Sequence, residues 1–211
     1  MLRQLCPPLR LHRAAMVLAL GITAFVLAGC DEEDLALCVT AVRPFYTEQD
    51  LTTDAGLLGT WDVEGEVRFT FTPAENNSYN VIVEEIENDK HATSRFEGHL
   101  FRLGPDSFLD LFPASMPEGS EFYLLHLFRC HTVAKVDFRG DQLQMRFMNP
   151  TWFAEQIKAS ALTTPHATAN DVLLLTGTTQ EMQELLFLNA NDDSAFGETL
   201  GFERARDEEE Q

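Results

Sequence analysis

Positive charge is scarce in this chain: 15 lysines and arginines stand against 34 aspartates and glutamates, for a net charge of −19 at neutral pH. Such an excess excludes nucleic acid as a partner of the surface, because a phosphate backbone is held through clustered cations. Long apolar runs are also missing. The longest, Ala14 to Leu27, has fourteen residues, short of the roughly 20 that a spanning helix needs. Catalytic signatures are absent: there is no Gly-x-Ser-x-Gly nucleophile elbow, no His-Glu-x-x-His helix and no glycine-rich phosphate loop. His91, His99, His126, His131 and His166 have no spacing that would converge three or four ligands on a metal. Asn189 to Asp193 offers oxygens at alternate positions, but Ser194 stands where a calcium loop needs glycine and Leu200 where it needs a bidentate acid. No cofactor, metal or catalytic residue is expected from these patterns, and an enzyme is the least favoured reading.

What is present begins with an address. Arg3, Arg10 and Arg13 precede the apolar run, and no acid accompanies them. A basic flank, an apolar stretch and then small residues form a secretory signal. The run ends in Leu27-Ala28-Gly29-Cys30, which resembles the lipobox of bacterial lipoproteins. That resemblance implies cleavage before Cys30 and a diacylglyceryl group on its thiol, so residues 1–29 are expected to leave as a signal peptide. Two or three acyl chains, at roughly 0.8 kcal/mol per buried methylene, hold a domain on a bilayer almost permanently. The expected location is a membrane, with the chain facing the periplasm or the cell exterior. Asp31-Glu32-Glu33-Asp34 reads as a solvated spacer. An acid just after the lipidated cysteine also resembles an inner-membrane retention signal of enteric bacteria, a rule that varies between lineages, so inner and outer membrane both stay open.

Removing three arginines with the signal takes the net charge from −19 to −22. Cysteine is sparse: of four, Cys6 leaves with the signal and Cys30 carries lipid. Cys38 and Cys130 remain as a candidate disulfide in an oxidising compartment, worth roughly 4–5 kcal/mol in the chain-entropy picture, or as two separate thiols. Residues 30–56 are expected to form the lipidated cysteine and tether, 57–205 one β-rich domain, and 206–211 a disordered acidic tail.

Within 57–205 the dominant pattern has period two. Val67, Phe69 and Phe71 alternate with polar neighbours, a turn-rich stretch follows over 73–78, and Tyr79, Val81 and Val83 alternate again. Residues 94–103 predict a strand around Phe96, Leu100 and Leu103, and 107–112 and 122–128 are short apolar runs. Residues 132–138 and 142–148 flank the tight turn Arg139-Gly140-Asp141 and predict the clearest hairpin. Two helices are expected in the C-terminal third. One starts at Asn149-Pro150 and carries Phe153, Ile157 and Ala161; the other starts at Thr178, with Glu181 completing a capping box ahead of Met182, Leu185 and Leu186. Residues 171–176 read as a buried strand between them.

Six to nine short strands joined by tight turns predict an antiparallel β-barrel or a strongly curled sheet. Gly59-Thr60-Trp61 before the first strong strand resembles the Gly-x-Trp that opens the barrel of lipocalin-like proteins. The resemblance implies that Trp61 plugs the barrel floor and that an arginine near the C-terminus, Arg204, covers it by a cation–π contact. The whole also resembles lipid-anchored β-rich proteins of Gram-negative bacteria, a resemblance that brings no activity with it. An interaction or structural module of the envelope is the favoured reading, with the segment from Phe108 to Phe128 as a candidate apolar patch. The alternative is a carrier or sensor of an apolar small molecule, its cavity lined by Trp61, Phe69, Phe71, Phe96, Met145 and Phe147. The expected partners are thus a membrane through the anchor, and either an apolar ligand or an envelope protein.

Overall fold

A computed structural model describes residues 39–205 except 88–89, 118, 125 and 170–171. The signal segment, Cys30 and Cys38 lie outside the described residues, as do residues 206–211. The strands are β1 (Val39–Ala41), β2 (Gly59–Val63), β3 (Val67–Pro73), β4 (Tyr79–Glu87), β5 (Lys90–Leu103), β6 (Asp106–Pro113), β7 (Thr132–Arg139), β8 (Gln142–Phe147), β9 (His166–Ala169), β10 (Val172–Leu175) and β11 (Leu200–Arg204). The helices are α1 (Glu121–Leu124), α2 (Pro150–Lys158) and α3 (Thr179–Asn189).

Strands β2 to β8 form an antiparallel meander that β11 closes by pairing with both β8 and β2, giving an eight-stranded barrel. The period-two alternation explains the closure. Phe69 pairs with Trp61 on one side and Val83 on the other, Phe71 with Val81, and Val136 with Met145, so one set of apolar side chains faces inward around the ring. Tight turns set the register: Asn76 and Asn77 both take the left-handed conformation between β3 and β4, and Gly140 does so between β7 and β8. Phe96 and Leu100 face inward as expected. Leu103 has the opposite parity and packs outside the barrel against a second core.

That second core lies on the outer face of β5, β6 and β7. Phe101, Phe108 and Val133 point away from the barrel and meet Val39, Ala41 and Phe45, Leu173 and Leu175, and Met182 and Leu186. It explains why 107–112 reads as a continuous apolar run: Phe108, Leu109, Asp110 and Leu111 are all buried, because both faces of the strand are covered. A three-stranded sheet ordered β1-β10-β9 supplies the cover together with α3. Neither β1 nor β9 was legible in the sequence. Residues 39–56, grouped there with the tether, hold a strand and the fully buried Phe45.

Helix α2 begins as expected, with the Asn149 side chain accepting from the Thr151 N–H at 3.0 Å and proline in the first turn. It stops at Lys158, before the expected Ala161, because Ser160 turns left-handed at φ 56°. Helix α3 carries the full capping box between Thr178 and Glu181. Residues 122–128 are not a strand: a one-turn helix, α1, and irregular chain replace it.

Candidate functional site

The barrel interior is the first place to look for a ligand. Trp61, Phe71, Leu143 and Met145 are buried to 1% exposure or less. Phe69 meets Phe202 edge-on at 5.3 Å between centroids and stacks beside Phe71 at 6.2 Å. A cavity wide enough for a ligand would leave its lining accessible to water, and these side chains are almost wholly inaccessible. Of the candidate lining residues, Phe96 and Phe147 are partly exposed and the other four are buried.

The floor of the barrel is built on Trp61. Its indole N–H donates to the Leu57 carbonyl at 2.8 Å, and the guanidinium of Arg204 lies 4.2 Å from the ring centroid. Strand pairing places Arg204 directly beside Trp61. Gly59, at φ 113°, allows the approach: a methyl group there would come within 2.8 Å of Arg204 Nη1.

Outside the barrel, a polar cluster interrupts the second core. Asp110 is wholly buried. Its Oδ1 lies 2.8 Å from His131 Nδ1, and its Oδ2 accepts the Phe45 N–H at 3.1 Å. His131 exchanges both backbone hydrogen bonds with Ala41 at 2.9 Å and stacks on Phe112. Beside it, His99 stacks on Tyr46 at 4.4 Å and approaches Glu97 at 3.3 Å through Nε2, while its buried Nδ1 has no partner. Burial holds the His99 imidazole below the ordinary histidine value, against the opposing pull of Glu97 and Asp110. The Tyr46 hydroxyl is pushed upward by burial and by the charges of Asp110 and Glu97.

An aspartate–histidine pair orients an imidazole, which is half of a nucleophilic apparatus. Among the described residues, no nucleophile is hydrogen-bonded to the His131 ring. Cys130 precedes His131 on an extended chain, and its Sγ lies 3.9 Å from the Phe128 carbonyl. The thiol is half-buried and has no disulfide partner among the described residues, which do not include Cys38. What the cluster does hold is segment 41–46, fastened to the barrel wall by one buried carboxylate, two stacked rings and a pair of backbone bonds. The open groove of about 400 Å³ between α2 and α3 is lined by Trp152, Leu162, Leu185 and Leu188 with Glu181 and Glu184 at its edge, and contains none of the cluster's residues. The aspartates after α3 are used in turn structure: Asp193 pairs with Arg146 at 2.7 Å and Asp192 bonds Ser194.

The third place is the loop between β6 and β7. Phe128 is 87% exposed, Phe122 75% and Tyr123 56%. These are large apolar side chains on one short segment, and none is turned inward. The rest of the expected patch differs, since Phe108 belongs to the second core. The loop is internally braced. Arg129 stacks over Phe112 at 4.6 Å and donates to the Pro113 carbonyl at 2.9 Å, while His126 Nδ1 contacts the Phe122 carbonyl at 2.8 Å.

No family model, curated protein or solved structure matches this chain. The sequence named residues 108–128 as a candidate patch without showing which of them are exposed, pointed to the barrel floor through Trp61 and Arg204, and gave no site role to Phe45, Tyr46, His99 and Asp110. The available signal was Asp110 itself, a lone charge inside a run otherwise fully apolar.

Proposed function

We propose that this chain is a lipoprotein of the bacterial cell envelope, fixed to a membrane through Cys30, in which a lipocalin-like barrel is a packed scaffold and the surface meets the partner. The observation that carries this reading is the contrast between a filled interior and unburied aromatics on one loop. A protein that carried an apolar molecule would keep such side chains around its cavity. Here Trp61, Phe71 and Met145 close the interior on themselves, and Phe122, Tyr123 and Phe128 stand in solvent.

Anchoring is supported by the order of basic flank, apolar run and Leu27-Ala28-Gly29-Cys30. The lipocalin-like assignment is supported by Gly59-Thr60-Trp61 and by Arg204 over the indole ring. The test expresses the full chain in a bacterium fed labelled palmitate. Label should enter the membrane-bound protein and disappear in Cys30→Ser. Label that persists in Cys30→Ser, or a chain equally soluble with and without the substitution, contradicts the anchor.

A further inference from the structure

We infer that the groove between α2 and α3 binds a small organic cation, an ammonium group carried on an apolar stem. The inference goes beyond the anchoring and scaffold reading and depends on neither. Three observations carry it.

The first is the apolar end of the groove. At about 400 Å³ the groove falls in the range of small-molecule sites. Trp152 supplies one wall from α2, Leu185 and Leu188 the other from α3, and Leu162 adds to it from the loop after α2. Leu188 is 70% exposed, and Trp152 and Leu162 are only half-buried, so this apolar surface lacks a full partner. Trp152 and Leu185 also wall a narrow crevice that reaches Met148, Phe153 and Phe196 of the second core.

The second is a change of polarity along the groove. At its other end the loop after α2 meets the start of α3: a methyl group on Gly177 would stand 3.3 Å from Thr164 Cγ2 and 3.2 Å from Glu181 Oε2. Thr163, Thr164, Glu181 and Glu184 line this end. Leu188 lies seven residues beyond Glu181 on α3, about 10 Å of helix. A ligand that spans the groove therefore has a polar head and an apolar end separated by that distance.

The third is charge, which sets the sign of the head. Among the described residues lining the groove, the ionisable ones are Glu181 and Glu184, both acids. The Thr178 N–H and hydroxyl donate to Glu181 Oε2 at 2.7 and 2.9 Å. These bonds hold the carboxyl below the ordinary glutamate value and leave Oε1 for a further donor. Glu184 is exposed one turn further on, on the same side of α3. With 15 cationic side chains against 34 acidic ones, the field of the whole chain gathers cations and repels anions. An open groove exchanges its occupant quickly, so none is retained through purification.

The test uses phenylbutylamine and phenylpentanoate, which share an apolar stem and differ in the sign of the head. Each is added to the full-length protein in maltoside micelles while the Trp152 indole N–H resonance, assigned with Trp152→Phe, is followed by NMR. The amine should shift that resonance saturably and bind about tenfold more tightly than the carboxylate, the difference between attraction to and repulsion by two exposed acids. Glu184→Gln should weaken the amine about threefold, and Glu184→Lys further. Unmoved resonances from the barrel strands show that these surface variants keep the fold. Equal binding of amine and carboxylate, an affinity for the amine unchanged in Glu184→Lys, or a shift that never saturates overturns the inference.

Discussion

The guanidinium of Arg204 lies 4.2 Å over the ring of Trp61 and donates to the carbonyls of Leu58 at 2.6 Å and Gly56 at 2.7 Å. One side chain from the last strand thus ties down the segment that leads into the first. It supplements the β11–β2 pairing, whose register covers two residue pairs.

Arg204→Ala removes a partly desolvated cation–π contact and two charge-assisted bonds, and should destabilise the protein by about 3 kcal/mol. Urea unfolding followed by intrinsic fluorescence measures it. Arg204→Lys should recover little, because an ammonium cannot stack and bridge two carbonyls together. Gly59→Ala should act in the same direction, since the new methyl meets Arg204 and the backbone there is left-handed. Full stability in Arg204→Lys would show that charge alone suffices.

Asp110→Ala should cost about 3 kcal/mol, because it strands the His131 imidazole and the Phe45 N–H without their acceptor. Hydrogen exchange should accelerate first at 41–46, ahead of the barrel strands. Uniform acceleration along the chain would mean that Asp110 supports the barrel itself and not the fastening of this segment.

Acid sensitivity follows from His99. Its imidazole is held below the ordinary 6.5 by burial, with Tyr46, Glu97, Asp110 and His131 around it. Between that lowered value and 6.5 the unfolded chain binds the proton and the folded chain does not. Stability is therefore complete above pH 6.5 and is lost as pH falls below it. His99→Phe keeps the stack on Tyr46 and deletes the unpartnered Nδ1. It should match or exceed the native stability at pH 7.5 and show a shallower loss toward pH 5, read from unfolding midpoints. An unchanged pH slope would remove His99 as the cause.

Period-two strands, tight turns and caps carry local signals, and these made the barrel legible. Val67, Phe69 and Phe71 showed their buried face, Thr178 and Glu181 their cap, and Gly59-Thr60-Trp61 its partner Arg204. The second core was hidden for the opposite reason. Strand β1 has three residues and β9 four, both too short to show a period, and they exist because the outer wall of β5 to β7 needs cover. The polar cluster joins Phe45 and Tyr46 to His99, Asp110 and His131, residues that meet only once the barrel has closed. Exposure of Phe122 and Phe128 was equally invisible, since an apolar run reads the same in a core and on a rim.

The most direct test of a packed scaffold acting through its surface is native mass spectrometry of the full-length protein extracted gently from membranes. A single mass is expected, that of the chain from Cys30 with its covalent lipid and nothing else. A second, lipid-sized mass released on mild activation, and lost when Phe71 or Met145 is enlarged to Trp, would place a ligand inside the barrel and contradict the reading.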